Sequence, residues 1–286
     1  MNSIFFSFVI PHKNSPDLLQ RCLDSIPKRE DIEIIIIDDD SDCAIVDFDF
    51  FPGLFDNRVK VFFTKEAKGA GYARNIGLKE AKGKWLLFAD ADDYYHDTVN
   101  LLLDQYKFRT DLDLVYFNAT TDSPEFKRTA SLNNYFRNYF NGDTKSLNDI
   151  KYNFLAPWNK IFLRDYIFKN NFCFQEIPSG NDARFVLFAG DNTVKVEVIN
   201  TVAYVHAKNT KGITYSKRTI EQEIDAAKLK IHVLKFLKER RINNVLYKSI
   251  MGFTKIKNLI INHGLNNTFK YLKSCIQFIV DKKYKF

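Results

Sequence analysis

The sequence predicts an α/β fold, a mostly parallel, doubly wound sheet followed by a C-terminal helical tail. Three observations carry this expectation. Glu33-Ile-Ile-Ile-Ile37 is β-branched on both faces, as an interior strand of a parallel sheet must be when helices cover both sides. Strand-like and helix-like patterns alternate through the first hundred residues, which implies right-handed crossovers. Beyond residue 218 the apolar residues recur at helical spacing.

Taken in order, residues 7–10 read as a short buried strand, and residues 17–25 as a helix with Leu18, Leu19, Cys22 and Leu23 at helical spacing. The isoleucine run is the second strand and ends in Asp38-Asp39-Asp40-Ser41. Residues 58–63 form a third strand, 70–81 a helix, and 85–88 a fourth strand that runs straight into Asp90, Asp92 and Asp93. Residues 112–117 add a further strand. Residues 123–147 are polar and aromatic without clear period and read as a variable insertion. Residues 153–171 carry Pro157-Trp158-Asn159-Lys160 and then a helical pattern, and residues 176–187 pass through a loop at Gly180 into another helix. Residues 195–205 alternate like a strand near the sheet edge. Helical patterns then occupy 218–237, 244–261 and 267–280. The expected division is 1–210 for the α/β domain and 211–286 for a basic helical region.

With 286 residues and 45% apolar composition, the chain can bury a full core and is neither disordered nor fibrous. Cys22, Cys43, Cys173 and Cys275 lie far apart without paired metal-ligand spacing, which fits reduced thiols in a cytosolic compartment and argues against a zinc site. The amino end reads as a first strand and not a signal peptide. Every apolar run is broken by charge well before the roughly 20 residues a membrane-spanning helix needs. The net charge of +7 is uneven, with Lys and Arg dense after residue 208. A Lys-rich helix with Phe, Ile and Leu suits an anionic membrane surface better than nucleic acid, for which no recognisable binding fold is present; an ordinary solvated face is the third reading.

Acids at the carboxyl end of a buried strand lie where ligands bind in open α/β sheets, and Mg²⁺ or Mn²⁺ prefer oxygen ligands together with phosphate. The expected cargo is a metal-bound diphosphate. The competing reading is that such aspartates only cap the next helix.

Four ordered segments resemble the nucleotide-binding half of the inverting family 2 glycosyltransferases of the GT-A (Rossmann-like) fold. They are Phe8-Val-Ile-Pro11-His12-Lys13-Asn14, Ile37-Asp38-Asp39-Asp40-Ser41, Gly71-Tyr-Ala-Arg74-Asn75 and Phe88-Ala-Asp90-Ala-Asp92-Asp93. Pro157-Trp158-Asn159-Lys160 and Gly180-Asn181-Asp182 resemble acceptor-side elements of the same family. The resemblance covers about residues 4–206. It implies a nucleotide-sugar binding half in residues 1–100 and an acceptor half in 101–210. It also implies a bacterial, non-processive enzyme of polysaccharide biosynthesis that moves one sugar, with inversion, to a glycan or lipid-linked saccharide.

By this resemblance the donor, first choice a UDP-sugar, sits against Pro11, Lys13, Asp39 and Arg74. Asp92 contacts the Mn²⁺ or Mg²⁺ directly, as part of a DXD motif. Asp90 meets the ribose or the metal, and Asp93 supports them from behind. Asp182 takes the general-base position, Trp158 that of an acceptor platform, and His206 that of a metal or diphosphate contact in some members. The bland alternatives are an ion pair for Arg74, an N-cap for Asp182, a buried ring for Trp158 and a structural His206.

Three residues depart from the family pattern: Asn181 precedes the base where Glu is common, Lys13 replaces an aromatic, and Asp40 replaces a glycine. The Gln-x-x-Arg-Trp signature and membrane spans of processive synthases are absent. The implied location is cytoplasmic, peripheral on the inner membrane face. A catalytically silent nucleotide-sugar-binding module is the first alternative and a nucleotidyltransferase the second, although the first loop lacks the glycines of the latter. A haloacid-dehalogenase-type phosphatase would need Asp-x-Asp where Pro11-His12-Lys13 stands.

Overall fold

In the computed structural model, which describes residues 3–123, 127–143, 145–177, 180–209, 219–242 and 250–280, the chain divides into two compact units. The first is built from Met1–Ile177 and Asn181–Gly212, the second from Pro178–Gly180 and Ile213–Phe286.

The first unit starts with β1 (Phe6–His12), α1 (Pro16–Ser25) and β2 (Ile32–Asp39). Every residue of β1 and β2 is buried, as a strand covered on both faces requires. β3 (Val59–Thr64), α2 (Ala70–Glu80) and β4 (Trp85–Phe88) complete the predicted alternation. Then come β5 (Tyr94–Tyr95), α3 (Val99–Tyr106) and β6 (Leu114–Thr121). The residues read as a variable insertion without clear period contain α4 (Lys127–Phe140) and the start of α5 (Ser146–Tyr152); residues 124–126 and 144 lie outside those described. Thr129, Leu132 and Phe136 provide the inward face of α4, a helical spacing obscured in sequence by the surrounding tyrosines.

The helical pattern expected after Pro157-Trp158-Asn159-Lys160 is preceded by a strand, β7 (Lys160–Leu163), before α6 (Arg164–Lys169). α7 (Ala183–Asp191) and β8 (Val196–His206) close the unit.

The eight strands form one sheet in the order β3-β2-β1-β4-β7-β6-β8-β5. β1, β2, β3 and β4 are mutually parallel; β7 runs antiparallel between β4 and β6; β8 is parallel to β6; β5 pairs antiparallel with β8 at the edge. The sheet is therefore mixed, and inserting β7 keeps β6 and β8 pointing the same way as β1, β2 and β4. The carboxyl ends of those five strands share one edge, the edge at which open α/β sheets bind ligands. His12, Asp38, Asp39, Asp90 and His206 all lie at or just beyond it.

The second unit contains α8 (Ile220–Glu239) and α9 (Phe253–Val280). α8 begins with a reciprocal capping box in which Gln222 N–H donates to the Thr219 hydroxyl and Thr219 N–H to the Gln222 side chain. α9 breaks at Gly264, whose φ of 80° is non-helical, in the gap between the two predicted helices. Residue 218 and residues 244–249 of the predicted helices lie outside the described residues. Ile220, Ile224, Ala227 and Ile231 of α8 share a core with Leu259, Tyr271, Cys275 and Phe278 of α9. All four cysteines are free, Cys22 and Cys275 buried, Cys43 and Cys173 exposed. No helix among the described residues is long and apolar enough to cross a membrane.

Candidate active site

β2 delivers two carboxylates that are already hydrogen-bonded by the protein. Asp38 accepts from His12 Nδ1 at 2.7 Å and from the amide and hydroxyl of Ser41 at 2.9 and 2.6 Å. The amide of Ser15 donates to His12 Nε2, which places the ring proton on Nδ1. The Asp38 carboxyl is opposed by burial, yet these donors hold it below the usual range. Asp39 accepts from the amides of Lys68 and Gly69 at 3.1 and 2.7 Å, fixing the loop that enters α2. Lys13 Nζ donates to the Asp39 carbonyl at 2.9 Å, and Pro11 lies buried in β1. The turn after the acid pair keeps a left-handed conformation, with Asp40 at φ 62°, a strain that aspartate tolerates better than most side chains.

Beyond β4 the three acids occupy different environments. The Asp93 carboxylate is enclosed, accepting from the Tyr204 hydroxyl and the Ala207 amide, both at 2.8 Å. Tyr204 Oη in turn accepts the Asp90 amide at 3.1 Å, so one phenol holds two members of the cluster. Asp92 Oδ2 accepts from Asn209 at 2.8 Å, while Arg21 binds the Asp92 carbonyl at 2.6 Å. Burial first, then the Asp90 charge, raises the Asp92 carboxyl; burial, then Asp90 and Asp92, raises that of Asp93 well above the usual range.

Arg74 is the residue that connects this cluster to the next. Buried on α2, it donates through Nη2 to Asp90 and through Nη1 to Asn181 Oδ1 at 2.8 Å. Asn181 immediately precedes Asp182, so the guanidinium fork ties the end of β4 to the start of α7. α2 is clamped to the same segment by Asn75, which exchanges two hydrogen bonds with the Phe174 backbone at 3.0 and 2.8 Å. Asp182 stands at the N-cap of α7 but makes no side-chain capping bond, so its carboxylate is not consumed by the helix. Burial raises its carboxyl, Arg128 and Arg74 pull it back, and Asp90 adds to the rise.

Trp158 is 2% exposed and stacks on Tyr204 with ring centroids 4.7 Å apart, with Phe154 edge-on at 5.0 Å and His206 at 5.6 Å. His206 Nδ1 meets the Thr129 hydroxyl at 3.1 Å, and burial, helped by Arg128, lowers its pKa. Below them Lys160, fully buried, donates to the carbonyls of Phe154 and Ala156 and to the Asn159 side chain.

Asp38, Asp39, Asp90, Asp92, Asp93, Arg74, Trp158, Asp182 and His206 thus gather along one edge of the first unit. Sequence reasoning missed Tyr204, Asn209, Arg21 and Arg128. The last sits on α4, inside the supposed insertion, with its guanidinium 5.1 Å from the centre of the Phe154 ring. Among the described residues no three His, Cys, Asp or Glu side chains form a ready-made metal cage. The donor set nevertheless fits a hard divalent cation. Asp90 and Asp92 are oxygen donors whose mutual repulsion a cation would relieve, and Mg²⁺-type ions take one or two carboxylates plus waters and phosphate.

The Glycosyl transferase family 2 model matches residues 7–169, more than half of the chain. A poly(ribitol-phosphate) beta-glucosyltransferase from Bacillus spizizenii is 41% identical over 93 residues, 31% of this chain and 15% of the relative. The glycosyltransferase GlyG of Streptococcus pneumoniae is 34% identical over 130 residues, 43% of each chain. The poly(ribitol-phosphate) beta-N-acetylglucosaminyltransferase TarS of Staphylococcus aureus is 25% identical over 232 residues, 76% of this chain and 38% of the relative. The chain therefore spans less than two thirds of the length of these relatives. Among solved structures, residues 1–349 of S. aureus TarS with UDP-GlcNAc superpose with a TM-score of 0.66 at 19% identity, covering 96% of this chain and 82% of that one. A mannosyltransferase from Pyrobaculum calidifontis with GDP-Man and Mn²⁺ gives 0.56 at 15% identity, covering 96% and 76%. These likenesses establish the GT-A type of fold.

Proposed function

The chain belongs to glycosyl transferase family 2, and from that premise we propose that it transfers one sugar from a nucleotide-diphosphate sugar to a hydroxyl of a glycan or lipid-linked acceptor, with inversion and with the aid of Mn²⁺ or Mg²⁺. One observation carries the reading: the Arg74 fork joins Asp90, at the donor-side acid cluster, to Asn181 beside Asp182, whose side chain makes no capping bond to α7.

In this reading the donor base lies against Pro11, Lys13 and the Asp39 turn, and Asp90 and Asp92 would hold the cation at the diphosphate. A bound cation would offset the charge that grows on the departing diphosphate. Arg74 keeps Asp90 oriented and supplies positive charge beside the same diphosphate. Asp182 accepts the proton of the acceptor hydroxyl as it attacks the anomeric carbon from the opposite face, which inverts the centre. Its raised carboxyl suits that task, since a base is most effective when its pKa approaches the working pH. Trp158 is the buried floor of the acceptor side, holding Tyr204 and His206 in place, and Arg128 stands over the neighbouring Phe154 ring. A UDP-sugar is the donor we favour, given the UDP-GlcNAc bound by the TarS structure of the same fold. We assign a cytoplasmic, membrane-peripheral location to match a lipid-linked acceptor.

Calorimetry with UDP tests the donor half directly. Binding that needs Mn²⁺ or Mg²⁺ and is lost in Asp92→Ala, with Asp182→Asn still binding, is the expected result. Binding unaffected by the cation or by Asp92→Ala would refute the metal assignment.

A further inference from the structure

α9 presents two apolar faces, and among the described residues the second unit's core uses one of them. After Gly264, Thr268, Tyr271, Cys275 and Phe278 are buried, the apolar three in the core shared with α8. Leu265, Phe269, Ile276 and Ile279 are exposed, and with half-buried Leu272 they recur at intervals of four, three, four and three along the helix. At about 100° per residue this is a continuous stripe set roughly a quarter-turn away from the buried face. Before Gly264, Phe253, Ile260 and Ile261 are exposed as well, with exposed Lys257 at helical spacing from Phe253 and Ile261. Phe269 is 68% exposed and Phe253 85% exposed, so each half of the helix leaves a large ring in solvent, and an exposed apolar patch of this kind marks an interaction surface.

The charge of the helix decides between occupants. α9 carries Lys255, Lys257, Lys270 and Lys273 and no acidic residue. Lys255 and Lys270 pair with Glu223 and Glu221 of α8, and Lys273 borders the stripe. The sequence then adds Lys282, Lys283 and Lys285 against a single Asp281, outside the described residues. A second copy docking helix to helix would bring two lysine-only helices together without compensating acids. An anionic surface meets both properties at once, because lysine stems can lie along apolar ground while their ammonium groups reach headgroups.

We propose that the outward face of α9 is the surface by which this protein lies on an anionic lipid bilayer, with Leu265, Phe269, Ile276 and Ile279 entering the interface and Lys257 and Lys273 meeting lipid phosphates. The proposal does not depend on the donor chemistry, because vesicle binding and sugar transfer are read separately.

Co-sedimentation of the full chain with vesicles of phosphatidylcholine alone, or mixed with phosphatidylglycerol, tests it at about 0.15 M salt, where surface charge is already partly screened. The expected result is partitioning onto the anionic vesicles at least about tenfold stronger than onto the neutral ones. The Phe269→Asp/Ile276→Asp pair should abolish it, and Lys257→Gln/Lys273→Gln should weaken it severalfold. Both pairs change exposed side chains, and circular dichroism checks that each still folds; should the first pair unfold, the lysine pair decides. Equal binding to both vesicle types, no binding to either, or full binding by the folded variants would overturn the proposal. So would a concentration-dependent dimer in sedimentation equilibrium that Phe269→Asp/Ile276→Asp dissolves, which would give the face to a second copy.

Discussion

Replacing Tyr204 by Phe removes one oxygen and should loosen the acid cluster from behind. The hydroxyl makes two hydrogen bonds, donating to Asp93 at 2.8 Å and accepting the Asp90 amide at 3.1 Å. Tyr204 and Asp93 are buried, so water cannot replace the lost partner of the carboxylate. A neutral hydrogen bond contributes about 1 kcal/mol and one to a charged group about 1.5–3 kcal/mol, so the two together come to about 2.5–4 kcal/mol. Ring packing on Trp158 and Tyr95 is kept by the phenylalanine, which limits the change to these polar contacts. Both tryptophans of the chain, Trp85 and Trp158, lie in the first unit, so their fluorescence during urea unfolding reports that unit separately from α8 and α9. With a slope of about 3 kcal/mol per M, the midpoint should fall by about 1 M. Asp93→Asn combined with Tyr204→Phe should cost less than the sum of the two, because the pair is in contact. A midpoint within about 0.2 M of the parent, or strict additivity, would refute the claim that this phenol holds the cluster together.

Gly71→Ala should destabilise the first unit by about 2 kcal/mol or more, because the new Cβ would lie 2.0 Å from the Gln175 carbonyl oxygen and 2.8 Å from the Asn181 Cβ; thermal unfolding followed by tryptophan fluorescence reads this, and an unchanged Tm would show that α2 does not press on that loop. Arg128→Gln removes the cation that does most to lower the Asp182 carboxyl, so the base's pKa should rise and the acidic limb of the pH–rate profile for transfer should move to higher pH, with stability nearly unchanged at this exposed site. A limb that stays in place would show that Asp182 is not the titrating base. Arg74→Lys should fold but lose at least about tenfold in kcat, since one ammonium cannot reproduce the planar fork that binds Asp90 and Asn181 together; equal kcat would remove Arg74 from the positioning role.

The donor half of the fold was readable because its signals are local. The Glu33 to Ile37 run, the acids at the ends of β2 and β4, and the helical spacing of α1 each lie within a dozen residues. The half after residue 100 was harder, for physical reasons that differ by element. β7 is four residues long, begins with a lysine, and exists because β4 and β6 supply partners from distant parts of the chain. β5, just before residue 100, has two residues and pairs with β8, more than a hundred positions later. The buried face of α4 is crowded by Tyr135, Tyr139 and Phe140, which hide its period. At the site, the aspartates announce themselves by clustering, whereas Tyr204, Asn209, Arg21 and Arg128 carry no local mark. Only the folded sheet edge brings them to Asp92, Asp93 and Asp182. Asn181, read from sequence as a missing charge, is in the structure the acceptor for Arg74, so the substitution leaves the link to Asp90 in place.

The most direct test of the proposed activity is release of nucleoside diphosphate from UDP-, GDP- and dTDP-sugars with and without Mn²⁺, comparing the parent chain with Asp92→Ala and Asp182→Asn. The expected result is cation-dependent hydrolysis of one donor that disappears in Asp92→Ala, and sugar transfer to an acceptor that disappears in Asp182→Asn while donor binding persists. Hydrolysis that proceeds unchanged in Asp92→Ala, or the absence of both binding and hydrolysis for every donor, would contradict it.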